Sequence, residues 1–391
     1  MKGRTLLLLL YAVLAFPLTG CWDIKSLQDV NYFTGIGIDY ENGKYRIYVQ
    51  QLDFANVAKT ESGKSTNPAT VWIGQAEGLS MSDAVMKLYQ TTQQTVFWGH
   101  LSCVILSEAV LKSGDLVSVF DNIIRSPEIR YTPWVYGTKT NIEDLFTTKP
   151  FFNLSPMNSI LYAPETNYDQ RPIIAPMRLY KFAREMREPG QTTFVPSLGV
   201  SDDTWMRNKK KDPKLDVDGL FVLHNDVCNG WIGENQATGL RWLVNQSPGG
   251  RILLKENDKM LATLRMNKPK SKVKIEIKKG EPVFHIDVKV DAAVYELGKQ
   301  LSEKELSKLA GEAVAGEIRS TFEAGLAMNH ADLFGLEHEL YRKKFKTWKA
   351  MTKEGKIPLK PIVLGNIDVN VHVVHTGMFK LKRDFDPFTS K

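Results

Sequence analysis

Cysteine is scarce in this chain, with three residues in 391: Cys21, Cys103 and Cys228. That is too few for a disulfide scaffold. Long hydrophobic runs are equally scarce. The one strongly apolar stretch, Leu6 to Pro17, is 12 residues long, whereas a membrane-spanning helix needs about 20. A polytopic membrane protein is therefore excluded. Catalytic signatures are missing as well. There is no G-x-x-x-x-G-K-S/T loop, no G-x-S-x-G elbow, and no two acids stand out as an acid/base couple. Gly35-Ile-Gly37 runs on into Ile38-Asp39 without a third glycine or a helix start, which excludes a dinucleotide loop. What is present is ordinary globular material. Hydrophobic residues make up 43% and charged residues 24%, enough to exclude long intrinsic disorder. At roughly 150 residues per domain, the length predicts two or three domains.

The first residues carry an address. Lys2 and Arg4 are basic, residues 1–20 hold no acid, and Leu6 to Phe16 is apolar; Leu18-Thr19-Gly20-Cys21 follows. This is the order of an export signal, residues 1–20, that is removed from the mature chain. The last four residues have the form of a bacterial lipobox, in which the Cys21 thiol accepts a diacylglycerol. Each buried CH₂ contributes about 0.8 kcal/mol, and two acyl chains anchor stably where one does not. The sequence thus predicts a folded body tethered from outside the cytoplasm, with no cofactor beyond the covalent lipid. Lys+Arg is 51 against Asp+Glu 44, a net +7, of which Lys2 and Arg4 supply two. The remaining excess gathers in Arg207–Lys214, Asn267–Gly280 and Tyr341–Lys349. An exported lipoprotein has no nucleic acid to meet, so these stretches read as solvated faces of a helix and a hairpin. Attraction to anionic headgroups is the alternative.

Periodicity predicts an α+β body with mixed or antiparallel sheets flanked by helices. Tyr32–Asp39 and Tyr45–Leu52 form a hairpin about Asn42-Gly43, and Gly35 and Gly37 mark a close approach by a neighbour. Ser80 with Asp83 opens a helix through Leu88. Leu101–Leu106 is a buried strand, Ser107–Arg125 is helical with a break at Gly114, and Tyr131–Gly137 is a strand. Five prolines between residues 150 and 176 exclude a continuous helix there. Charged residues 201–214 predict a linker between an N-terminal region, 21–200, and a C-terminal region, 215–391. In the latter, Lys272–Ile277 and Phe284–Val290 alternate as a hairpin. Ser302 and Glu305 cap a long helix with Leu306, Leu309, Ala313, Ile318, Phe322 and Leu326 on its buried face. Asp332–Met351 reads as its partner, and Asn366–Val374 as a final strand.

Individual polar residues carry weaker signals. Cys103 belongs to a core strand and Cys228 to a loop of the other region, so both are expected as free thiols. His372 and His375 fall on opposite faces of a strand and make no metal pair. His330 and His338, near a helix junction, read as solvated. His100, entering a core strand, reads as a hydrogen-bonded structural residue. Arg125-Ser-Pro-Glu128-Ile-Arg130 reads as an ion-pair junction or, alternatively, a carboxylate clamp.

Taken in order, several motifs resemble one family. Cys21-Trp22-Asp23 followed by Gly35-Ile-Gly37-Ile-Asp39 resembles the opening of the Ger(x)C family, the lipoprotein C subunits of spore germinant (nutrient) receptors. Gly99-His100-Leu101, Arg125–Arg130 with Glu128 between, Asp218-Gly-Leu-Phe-Val-Leu223, and Asn329-His-Ala-Asp332-Leu-Phe-Gly335 with Arg342 and Trp348 are similar to later family segments. His375-Thr-Gly377 resembles the family terminus. Val71–Gln75 and Leu336–His338 depart from the pattern. The resemblance implies a three-domain α+β body without catalytic activity, carrying its lipid on Cys21 and seated on the outer face of the inner spore membrane. It implies two integral-membrane partners, a large A-type subunit and a permease-like B-type subunit, and a role in triggering germination. A solute-binding lipoprotein of an importer is the competing reading; that class shows repeated βαβ units in two lobes, where hairpins and an antiparallel C-terminal sheet are expected here.

Overall fold

The structure, a computed structural model, describes residues 3–4, 30–52, 70–224, 226–244, 247–357 and 359–375. Cys21, Trp22 and Asp23, nearly all of the export signal, and Gly377 lie outside the described residues. The α+β reading with mixed sheets flanked by helices holds.

The first half builds one wide sheet. β1 (Val30–Glu41) turns into β2 (Lys44–Leu52) through Asn42 and Gly43 at φ 52° and 77°, the left-handed pair that a two-residue hairpin requires. β3 (Val71–Gly78) lies on the outer side of β2. Ser80 then caps α1 (Met81–Tyr89) by accepting a hydrogen bond from Asp83 N–H at 3.1 Å. β4 (Thr95–Phe97) and β5 (Cys103–Ser107) both run parallel to β1. The predicted helix after β5 is broken into α2 (Glu108–Lys112) and α3 (Leu116–Ile124), with Gly114 at φ 77° between them. β6 (Trp134–Thr138) extends the parallel set. α4 (Ile142–Thr147), α5 (Glu165–Gln170), β7 (Met177–Arg178) and α6 (Leu179–Glu185) follow, with short 3-10 turns in the proline-rich stretch.

The expected linker is a correction. β8 (Thr192–Ser201) pairs antiparallel with β11 (Lys214–His224) from Ser201↔Lys214 down to Thr192↔His224. Between them the charged stretch forms a two-stranded ribbon, β9 (Met206–Arg207) and β10 (Lys210–Lys211). β12 (Val227–Gly233) pairs with β11, so the order is β12-β11-β8-β6-β5-β1-β2-β3. The dense charge of 201–214 reads as a linker because a solvated ribbon and a solvated linker have the same composition.

The second sheet is smaller: β13 (Gly249–Glu256), β14 (Lys259–Lys278), β15 (Glu281–Leu297) and β16 (Val363–His375), in that order. The central hairpin is far longer than its alternating segment. α7 (Glu303–Ala327) starts at a full capping box, Ser302 with Glu305. Its buried face is Leu306, Ala310, Gly311, Val314, Ile318, Thr321 and Gly325. Small residues sit innermost because the helix lies close on β16, where Gly311 approaches the Val369 carbonyl oxygen. Leu309, Ala313 and Phe322, expected at the centre, flank it half-buried. The predicted second helix is two, α8 (Leu336–Lys343) and α9 (Phe345–Met351), broken at Lys344 (φ −139°). Asp332–Gly335 precedes them as a loop, with Gly335 at φ 64°. No described helix is long and apolar enough to cross a membrane.

Glycine is required where α4 crosses the sheet. A Cβ on Gly37 would stand 2.4 Å from Ile142 Cγ2, and one on Gly35 would stand 2.9 Å from both Cys103 Sγ and Phe146 Cε1. Gly316, on the exposed side of α7, has nothing within 4 Å. Denaturant titration should therefore separate the two sites. Gly37→Ala is expected to cost about 1–3 kcal/mol through overpacking. Gly316→Ala should add up to about 1 kcal/mol through helix propensity.

Candidate functional site: a buried carboxylate at the junction of the sheets

The motif residues sort into two places. The first is around β1. Gly35 and Gly37 receive α4, and Asp39 Oδ1 accepts a hydrogen bond from Tyr40 N–H at 2.9 Å. Glu128 reaches the Gly-His segment: its Oε2 accepts from Trp98 N–H at 3.0 Å, while Trp98 Nε1–H donates to the Tyr89 hydroxyl at 2.7 Å. Trp98 is thus the buried residue of this turn. His100, expected as the core-entering residue, is exposed and meets the Tyr32 ring edge-on at 4.8 Å. The ion-pair junction expected of Arg125, Glu128 and Arg130 is a correction too. Arg125 pairs one turn back with Asp121 at 3.3 Å, Arg130 is exposed, and Glu128 serves a backbone N–H. The helix ends at Ile124, which turns Glu128 toward the 97–98 turn.

The second place joins the halves. Asp332 is buried and tightens the turn into α8, accepting from Phe334 N–H at 3.1 Å and Glu337 N–H at 2.8 Å. Gly335 supplies the left-handed backbone that this turn needs. One turn later the Glu337 side chain, 1% exposed, collects partners from three further segments. Its Oε2 accepts from Leu359 N–H at 2.8 Å and stands 3.2 Å from His224 Nε2, an ion-pair contact rather than an aligned hydrogen bond. Its Oε1 accepts from Trp348 Nε1–H at 3.1 Å. Gly190, at φ 67°, packs on its Cγ, and His338 meets the Pro189 carbonyl oxygen at 3.0 Å. His338 is therefore packed between the halves, not solvated. A second clamp lies along α7. Arg241, 6% exposed, grips Glu317 with Nη2 at 2.6 Å and Nε at 3.2 Å, and Trp242 Nε1–H donates to the same carboxylate at 2.7 Å.

Electrostatics follow from this packing. Burial alone would push the Glu337 carboxyl up; the contacts from His224, Leu359 N–H and Trp348 outweigh it and hold it below the usual carboxylate range. Burial disfavours a charged His224 ring, but Glu337 and then Asp332 raise its pKa. Asp332 itself is pushed up by burial against its backbone hydrogen bonds. Beside the cluster a cleft of about 360 Å³ opens, lined by His224, Asn229, His330, Lys356, Lys360 and Ile362 among others. Both oxygens of Glu337 are taken up by these partners. Among the described residues no group of three metal-ligating side chains gathers. Cys103 and Cys228 are free thiols, and burial raises Cys103 well above its ordinary pKa.

The sequence pointed to Asp332 and Gly335 but missed Glu337, His224, Arg241 and Glu317. His224 and Glu337 are 113 positions apart, and only the packing of α8 on the first sheet brings them together.

Comparison with known proteins places both halves. The family model for the spore germination protein N-terminal domain matches residues 23–200, and that for the spore germination B3/GerAC-like C-terminal domain matches 218–377. Among curated proteins, spore germination protein KC of Bacillus subtilis (strain 168) is 23% identical over 97% of both chains. Spore germination protein B3 of the same organism is 24% identical over 71% of both chains. The crystal structure of the GerBC protein superposes with a TM-score of 0.57 at 16% identity, covering 90% of this chain and all of that one.

Two outcomes are expected at the junction. Glu337→Ala strips the partners from His224, Trp348 Nε1–H and Leu359 N–H, and chemical denaturation should show a loss of about 3–5 kcal/mol. The pH dependence has a defined sign. Glu337, depressed, contributes fully above its ordinary 4.5 and loses that contribution as pH falls through its lower folded value. His224, raised, contributes fully below its ordinary 6.5 and loses that contribution as pH rises through its higher folded value. Thermal unfolding should therefore show the largest gap between the parent chain and His224→Gln between those two values, narrowing on the alkaline side.

Proposed function

The chain belongs to the GerAC-like family of spore germination proteins, and on that premise we propose that it is the lipid-anchored, non-enzymatic C subunit of a nutrient germinant receptor. The coarse role, spore germination, comes with the family. The observation that carries the finer reading is the coincidence of basic residues, apolar run and lipobox immediately before Cys21. A diacylglycerol on Cys21 would seat the body on the outer face of the inner spore membrane. The absence of a described membrane-crossing helix is consistent with attachment by that lipid.

Within the receptor the body acts as a brace that holds the A-type and B-type membrane subunits in their responsive arrangement. The supporting observation is the junction. Glu337 ties together β11, α8, α9 and the chain at Leu359, and Glu317 ties α7 to the turn at Arg241. A body locked at the buried Glu337 passes a displacement from one half to the other instead of absorbing it in a hinge.

Spores lacking the gene should fail to germinate with one class of nutrient while responding fully to a trigger that bypasses nutrient receptors. Spores carrying Cys21→Ala should show the same selective loss, with the chain released from the membrane fraction on immunoblots. A Cys21→Ala chain that stays in the membrane fraction and supports full nutrient germination would contradict the anchor.

A further inference from the structure

We propose that the rim of the ten-stranded sheet at which β1 begins is the bilayer-facing surface of the body, resting through exposed aromatic and arginine side chains in an anionic headgroup layer. The proposal rests on the lipid-anchor reading above, and geometry takes it further. Val30 opens β1 nine positions after Cys21, and nine extended residues reach at most about 30 Å. β1 is 12 residues long, so the sheet extends about 40 Å along its strands. A lipid on Cys21 therefore keeps the starting end of β1 within about 30 Å of the membrane, less than the length of the sheet.

The side chains at that near end suit a headgroup layer. β4 pairs with the first residues of β1, Val30↔Thr95 to Tyr32↔Phe97. β3 starts there against the end of β2, Leu52↔Val71. The loop into β6 passes there and docks α6, with Tyr180 N–H donating to the Tyr131 carbonyl oxygen at 2.9 Å. On this rim Trp72 is 65% exposed, Tyr180 55%, Tyr131 50% and Phe97 37%. Arg130 is exposed beside them; Arg178, over the Trp134 ring at 3.2 Å, is already paired with Glu165 at 3.0 Å and leaves Arg130 as the arginine that faces lipid. Amphipathic rings settle where apolar body and polar edge both find a partner, which is the headgroup level. Arginine adds attraction to anionic lipid. These side chains are spread around the starts of β1, β3, β4 and β6, and it is the short stretch from Cys21 to Val30 that selects the bilayer as what they meet. A separate exposed group, Trp205 and Met206 on the β9–β10 ribbon beyond Ser201↔Lys214, packs edge-on against Phe151 at 4.8 Å and takes no part in the pairing of β1, β3, β4 and β6.

Hydrogen exchange tests the assignment. The full acylated chain, reconstituted in phosphatidylcholine vesicles with about 30% phosphatidylglycerol, is compared with the Cys21→Ala chain in solution. Amides of residues 95–100 and 128–132 should exchange at least about threefold more slowly on the vesicles, and those of 205–211 at an unchanged rate. Phe97→Ser with Tyr131→Ser, both exposed, should abolish the slowing; Trp205→Ser with Met206→Ser should leave it intact. Slowing confined to 205–211, no slowing anywhere, or slowing undiminished in the Phe97/Tyr131 variant would each overturn the proposal. Intact mass of the vesicle-bound chain keeps the premise separate. A chain without diacylglycerol would mean that the anchor reading had failed, and the orientation argument would fall with it.

Discussion

Glu337 is a carboxylate with almost no access to water, held by three separate segments, one of them 113 positions away. A buried charge of this kind is tolerated only when its partners are all in place. Here they are the His224 ring, the Trp348 indole N–H and the Leu359 backbone N–H. The relative position of the two sheets follows from that requirement. α8 must present Glu337 toward the end of β11, α9 must return Trp348 over it, and the chain before β16 must bring Leu359 to its free face. Arg241 and Glu317 repeat the device along α7. A hydrophobic contact tolerates sliding; a saturated buried carboxylate does not, because any shift strands a charge.

That rigidity bears on what the body can do: with its two sheets joined at a buried charge, it transmits position and orientation from one sheet to the other. The lining of the junction cleft, with Lys356 and Lys360 beside His224, keeps the joint open to solvent on one side. The linkage signs of His224 and Glu337 follow from the same arrangement, since each charge is stabilised mainly by the other.

Much of the fold was legible locally. The β1–β2 hairpin is written in Asn42-Gly43, the caps of α1 and α7 in Ser80 and Ser302, and the β14–β15 hairpin in strict alternation. Each of these signals is carried by residues within a few positions of one another. The errors have a common cause. Residues 201–214 hold a two-stranded ribbon between two paired strands of the first sheet, and 332–351 is a loop with two short helices, because strand pairing and tertiary packing overrode what composition and spacing suggested. The buried face of α7 is rotated toward small residues because β16 lies so close to it.

By itself the sequence determined the α+β class, the positions of the turns and caps, and the family likeness, all of which depend on neighbouring residues and simple chemistry. Tertiary structure alone decided that β11 and β12 complete the first sheet, that Glu128 serves Trp98, and that His224 meets Glu337. The last two of these join positions 30 and 113 residues apart. A pairing over such distances has no local signature, since it exists only once the intervening chain has folded and excluded water from it.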